Sequence, residues 1–361
     1  MDFWNPRYVS GVWGAVHTGP GVYRVEYLKT GKLQFAFLRD LLGKIDIPDD
    51  RVVIGPGIGD DAAAIDMGDR YLIVKSDPIT FVQDEIGWYV VNVNANDIAS
   101  MGGTPRWFLV TMLLPEKGTT TALIEEIMHD LRESCDTLGV SLIGGHTEVT
   151  KGLKQPILSG TMLGEVEKSG LINNSRIGEG DLLYITKGVA IEATSIIARE
   201  KRSQVIERFG EEFYERCLRF LRDPGISVVA DARRILESDI RVHVTGMHDP
   251  TEGGVLMGGY EMAMGAGIGL SIEASAVPVY DETRALCDVF GLSPLGLIAS
   301  GALLVSVARE CAGSIEKLFR DGGITRIGTF SGKAEGVWLQ EGGEVRYLHP
   351  SARDEITKIF E

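Results

Sequence analysis

The chain has 361 residues, 44% hydrophobic and 24% charged, the profile of an ordinary globular protein long enough for two domains. Its 51 acidic residues against 36 basic ones leave a formal charge of −15, which excludes a basic nucleic-acid or anionic-membrane surface but not a polyphosphate held by local amides, lysines and a metal. Four widely spaced cysteines without a C-x-x-C pair read as reduced thiols; with no signal pattern and no apolar run near ~18 residues, the expectation is a soluble cytoplasmic protein.

Residues 1–30, rich in glycine and aromatics, show no clear period and read as an irregular or strand-like arm. The apolar spacing of Leu33, Phe35, Phe37, Leu38, Leu41 and Leu42 predicts a helix ending at Gly43. Strands are expected at 62–66, 71–75 and 107–114, and helices at 85–100, stopped by Gly102-Gly103, and 121–138, stopped by Gly139. Further strands follow at 141–143 and 157–166. The polar stretch 167–180, with Asn173-Asn174-Ser175, is the best linker. Beyond it come strand 182–186, helices 192–199, 204–221 and 227–237, strand 242–245, helix 255–264, strand 269–272 and helix 281–290. Strand 302–306, helix 311–320 and strands near 325–328 and 336–341 complete a mixed α+β order with no repeat.

The most informative residues are acids on short, apolar, glycine-flanked segments: Asp60 and Asp61 after Gly57-Ile58-Gly59, Asp77 after Lys75-Ser76, and Asp97 inside an apolar helix. A carboxylate among apolar residues needs a partner. Few basic residues lie nearby in sequence, and Mg²⁺ characteristically recruits a few carboxylates plus phosphate oxygens. Capped turns or surface aspartates explain each one singly; their recurrence between 60 and 97 favours a site. Gly55–Ala63 is not a dinucleotide fingerprint, because G-x-G-x-x-G fails at Asp60, and no Walker A sequence surrounds Gly31-Lys32. Gly144-Gly145-His146-Thr147-Glu148 places polar groups in a presumed turn after a strand, where His146 and Glu148 are either structural or ligands. Asp249-Pro250-Thr251-Glu252-Gly253-Gly254 opens a helical stretch; it is a capped helix start, and also a candidate phosphate seat. Lys32 is a solvated lysine or a neutraliser of phosphate charge. No residue announces itself as a nucleophile.

The stretches GIGDDAAAI (57–65), KSDPITF (75–81), NVNANDIASMGGTPRW (92–107), LIGGHTEV (142–149) and HDPTEGGV (248–255) together resemble the aminoimidazole-ribonucleotide (AIR) synthetase superfamily over roughly 31–345. Its members include thiamine monophosphate kinase, selenophosphate synthetase and the hydrogenase-maturation carbamoyl dehydratase, whose motifs look closest. The resemblance implies an α+β, PurM-like fold: an N-terminal domain (31–166) giving strands to a barrel across a homodimer, a C-terminal α/β ferredoxin-like domain (181–345), and a last helix at 346–361. It implies ATP and Mg²⁺ as cofactors. Asp60, Asp61, Asp77, Asp97 and Glu148 would serve the metal; Gly31, Lys32, Gly145, His146, Thr147, Asp249, Thr251, Gly253 and Gly254 would serve the nucleotide. The implied chemistry is ATP-dependent activation of an oxygen on an unidentified acceptor, with a small-molecule kinase or a non-catalytic nucleotide-binding assembly factor as alternatives.

Two departures bear on the acceptor. The last cysteine is Cys311, so no thiol-bearing tail like that of the dehydratases is expected, and Ser300 stands where they carry a glutamate before Gly301. The acceptor is therefore expected to be a small molecule or a tail supplied by a partner protein.

Overall fold

The computed structural model describes residues 15–17, 23–25, 31–33, 35–57, 59–320, 322–332, 336–349 and 353–360. The chain forms two compact units, Met1–Lys32 and Leu33–Glu361. In the first, β1 (Ala15–His17) and β2 (Tyr23–Val25) make an antiparallel pair.

The second unit begins with α1 (Phe35–Leu42), then β3 (Val52–Ile54), β4 (Ala63–Asp66), β5 (Arg70–Lys75) and β6 (Pro78–Ile79). Helix α2 (Ile86–Ser100), β7 (Thr104–Pro115), α3 (Thr121–Leu138), β8 (Ser141–Thr150) and β9 (Ile157–Glu167) follow. Their sheet runs β3-β4-β5-β9-β7-β8, with β6 also paired to β9, and only β7–β8 is parallel. Alternate residues of β9 are buried, the period expected of a strand with one covered face.

After two 3₁₀ turns, the chain continues with β10 (Leu182–Thr186), α4 (Ile191–Glu200), α5 (Arg202–Phe209), α6 (Glu211–Arg219), α7 (Val229–Leu236) and β11 (Val244–His248). Next are α8 (Gly254–Ala266), β12 (Gly269–Glu273), α9 (Asp281–Phe290), β13 (Leu304–Val307) and α10 (Ala312–Leu318). Strands β14 (Ile324–Ser331), β15 (Val337–Glu341) and β16 (Glu344–Tyr347) precede a 3₁₀ helix, Glu355–Phe360. This second sheet runs β11-β13-β10-β14-β12-β15-β16 and is antiparallel except at β12–β15. No helix among the described residues is long and apolar enough to cross a membrane.

Helix α2 holds the halves of this unit together. Every residue of it is buried, so it has no solvent face. Three of its polar side chains bridge to other segments. Asn92 donates to Ser134 Oγ of α3 (2.8 Å), and Asn94 accepts the Asp77 amide (2.8 Å) while donating to the Asp77 carbonyl (3.2 Å). Asn96 donates to the Ile226 carbonyl and accepts the Val228 amide, both at 2.8 Å. Asparagines in an otherwise apolar helix are thus its welds to three other segments.

The structure departs from sequence expectation in four places. Gly144–Glu148 is not a turn but the middle of β8: a Cβ on Gly145 would lie 1.9 Å from the Val110 carbonyl, so glycine lets β8 run flush against β7. The helix expected over 204–221 breaks at Gly210, whose φ of +87° suits only glycine. Strands β3 and β16 are too short to show a period. The expected helix over 346–361 is instead the end of β16 and the short 3₁₀ turn.

Candidate functional site

The acids converge at strand ends. Asp61 precedes β4, Asp77 lies between β5 and β6, Asp97 is in α2, and Asp249 follows β11 directly. The Asn94 clasp sets the backbone of Asp77 against α2. Asn94 and Asp97, three residues apart, share one face of that helix. Lys75 Nζ then sits 2.9 Å from Asp97 Oδ1 and 3.3 Å from Asp77 Oδ2. One turn further along α2, Ser100 Oγ donates to Asp249 Oδ1 at 3.1 Å.

The Gly59 turn brings in the rest. A Cβ on Gly59 would meet the Glu261 carbonyl at 2.6 Å, so the turn lies flat on the backbone of α8. Asn174 donates to the Gly59 carbonyl (2.8 Å) and holds it there. Asp61 is thereby paired with His248 Nδ1, whose Nε2 is 3.0 Å from Glu261 Oε2. Asp61, His248 and Asp249, all buried, each offer a ligand atom within 4.8 Å of the others.

The electrostatics are those of a site short of positive charge. Burial drives the Asp97 carboxyl well above its usual range; Lys75 opposes this, and Asp249, Asp77 and Asp61 reinforce it. Burial likewise pushes Asp249 up to about 7, with Asp61 adding to it. Burial disfavours a charged His248, yet the Asp61 carboxylate and the hydrogen bonds to Asp61 and Glu261 together hold its pKa well above the usual value. Burial acts against a charged Lys75 too, and Asp97, Asp77 and Asp61 reverse it. Asp97 Oδ2 and Asp249 Oδ2 are buried without a hydrogen-bond partner. Two orphaned carboxylate oxygens beside two internal cations are what a hard divalent ion would complete. The donor set fits Mg²⁺.

Other expected residues lie elsewhere. Asp60 lines a cavity of about 370 Å³ with Leu42, Ile45, Ile47, Val53 and Asn173; burial and the neighbouring Asp61 raise its pKa. Glu148 and His146 pair with each other at 3.1 Å on the exposed β8. Asp77 reaches β9 through the Gly160 amide, Gly160 faces Val110 of β7, and Val110 faces Gly145 of β8. Three strand spacings, roughly 14 Å, therefore separate Gly145, His146, Thr147 and Glu148 from the acids within one chain. Gly31 and Lys32 belong to the first compact unit. Thr251 accepts the Ala299 amide through its carbonyl, beside the cluster, whereas the Gly253 amide is already donated to Asp354.

Sequence reasoning did not assign Lys75, Ser100, His248 or Glu261. Lys75 and His248 carried a usable signal, as ionisable residues closing apolar strands next to an aspartate. Ser100 and Glu261 are placed by tertiary packing and have no such mark.

Comparison with known proteins identifies the fold family. The family model for AIR synthase related protein, N-terminal domain, matches residues 59–166, and that for the C-terminal domain matches 178–339. A protein of Methanocaldococcus jannaschii named for hydrogenase expression/formation is 27% identical over 297 residues, 81% of this chain and 84% of its own. The thiamine-monophosphate kinase of Aquifex aeolicus is 23% identical, over 66% of this chain and 75% of its own. Among solved structures, the hydrogenase maturation protein HypE in complex with ATP superposes with a TM-score of 0.67 at 20% identity, covering 90% of this chain and 94% of that one. At that identity the likeness speaks for the fold.

Proposed function

We propose that this chain, which belongs to the AIR synthase related family, is an Mg-ATP-dependent enzyme that activates an oxygen of an acceptor by phosphoryl transfer. The observation that carries the reading is the meeting of buried Asp61, Asp97 and Asp249, with half-buried Asp77 beside them and two orphaned oxygens among them, at the seam of the two matched family domains. A relative of the same fold solved with ATP supports the choice of nucleotide.

Bound Mg²⁺ would supply charge neutralisation for the phosphates. The chain's own residues prepare for it. Asp61, Asp97 and Asp249 would hold the ion, with Asp77 beside them. Lys75 fixes Asp97 and Asp77, and His248, clamped by Glu261, fixes Asp61. Asp60 and the cavity beside it lie on the adjoining side of the Gly59 turn. The acceptor is a small molecule or a segment of a partner protein. The proposed setting is cytoplasmic, in keeping with four buried, unpaired thiols.

The active form we propose is a homodimer, with the first sheet closing a barrel across it and the second forming a ferredoxin-like layer. Strand β8 supports this: it is a sheet edge exposed along most of its length, with Ile143 and Val149 more than half exposed. Gly145, His146, Thr147 and Glu148 would then act from that interface.

Calorimetric titration of ATP with and without Mg²⁺ tests the reading; heat only with Mg²⁺ is expected, and no Mg-dependent binding would sink it. The likeness to thiamine-monophosphate kinase favours a second reading, a small-molecule kinase. Product analysis separates the two, since a kinase leaves phosphate on the acceptor and the first reaction releases it.

A further inference from the structure

The N-terminus of α8, a helix of 13 residues, has the makings of an anion seat at the Gly253 amide, while the Gly254 amide closes the turn on the Thr251 carbonyl at 3.0 Å. The seat is already filled. Asp354, buried and just ahead of the 3₁₀ helix, accepts the Gly253 amide through Oδ2 at 2.6 Å and the Ile356 amide through Oδ1 at 2.7 Å, and takes a further backbone hydrogen bond from Ile298. The segment that carries it is anchored on its own account. Ile356 and Ile359 are buried, the Glu355 carboxylate accepts the Ser293 amide at 3.1 Å, and Phe360 stacks on Phe81 at 6.3 Å between ring centroids.

The turn 249–254 is therefore held at three points. Ser100 holds Asp249 from α2, the Ala299 amide holds the Thr251 carbonyl at 3.3 Å, and Asp354 holds Gly253. The last of these fixes a residue with φ of +83°, a left-handed conformation that glycine adopts without strain. From these contacts we infer that Asp354 is a positioning residue of the proposed nucleotide cleft. It acts from behind the turn, through Gly253, to keep Asp249 and Thr251 in place, and by occupying the Gly253 amide it directs ligand phosphates to the metal side. This rests on the Mg-ATP reading above.

Asp354→Ala and Ile359→Ala, in the full chain, separate a positioning role from a merely stabilising one. Both variants remove packing from the same segment, but only Asp354 accepts an amide hydrogen bond from the turn, that of Gly253. Below the melting range of either, D354A should bind Mg-ATP at least tenfold more weakly, and the 251–257 region should exchange amide hydrogen at least tenfold faster by mass spectrometry. I359A should melt earlier yet keep both properties. Asp354→Asn, which preserves volume and one oxygen, should repeat the changes in smaller measure and serves if D354A does not fold. An affinity and an exchange rate in D354A within twofold of the natural chain would overturn the inference, as would an I359A variant that reproduces both losses. Should the natural chain bind no Mg-ATP, the proposed function falls, and the exchange rates alone decide whether Asp354 braces the turn.

Discussion

Asp97 reaches its role because a helix brings it one turn from Asn94, and Asn94 is tied to the backbone of Asp77. Asp97→Asn keeps the volume and removes a charged oxygen from the cluster. Mg-dependent ATP affinity is expected to fall tenfold or more by calorimetry, while Asp60→Asn, facing the neighbouring cavity, should cost far less. Equal effects of the two would mean that the ion is held elsewhere. A second prediction concerns buried acids outside the cluster. Burial pushes Glu192 up to about 7, reinforced by Asp354 and Glu252, and burial pushes Asp354 to about 6. Both keep protons in the folded chain after the unfolded chain has lost them. The stability they contribute is full below about pH 4 and is lost as pH rises through 6 and 7. Melting temperature should therefore fall between pH 5 and pH 8, and Glu192→Gln should flatten that slope; an unchanged slope would remove Glu192 from the account. At this scale the sequence pointed to Asp60, Asp61, Asp77 and Asp97 through their apolar surroundings and to Asp249 only as the start of a helix. The structure gathers Asp61, Asp77, Asp97 and Asp249, while Asp60 lines the neighbouring cavity. The sequence could not reveal Glu261 or Asp354, whose partners are brought to them only by packing.

Helix α2 and strand β8 mark the two extremes of what element-scale patterns reveal. The helix was legible because a long apolar run ends at Gly102-Gly103. Its three asparagines, which weaken a helix in isolation, gain their purpose only from contacts with distant segments. Asn96→Ala would leave the Ile226 carbonyl and the Val228 amide buried without partners, an expected loss of about 3 kcal/mol in a denaturant titration. A loss below ~1 kcal/mol would show that these groups find water. The N-cap of α3 offers a milder comparison: Thr120 accepts the Leu123 amide at 3.1 Å, and Thr120→Ala should cost about 1 kcal/mol. Strand β8 was half legible. Its paired glycines have the signature of a turn, and only the closeness of the Val110 carbonyl explains them as flat strand residues.

At the scale of the whole molecule, the open edge at β8 sets the expectation for assembly. Replacing Ile143 and Val149 by lysine should convert a dimer to a monomer by light scattering while the chain still folds cooperatively, since both side chains are exposed within one chain. A natural chain that is already monomeric at micromolar concentration would contradict the proposed barrel. The mixed α+β order and the motif set were visible in the residues. The meeting of the two halves was not, because α2 bonds to residues 130 and 132 positions away. That separation also has a meaning in time. At about 5–20 residues per second, a ribosome takes roughly 6–26 seconds after finishing α2 to deliver Ile226 and Val228. Through that interval α2, buried along its whole length in the finished protein, waits with one flank bare, and the entropy of closing so long a loop delays the contact further. A nascent chain halted between Ser100 and Ile226 is therefore expected to be cleaved more readily around α2 by a protease than the finished protein is.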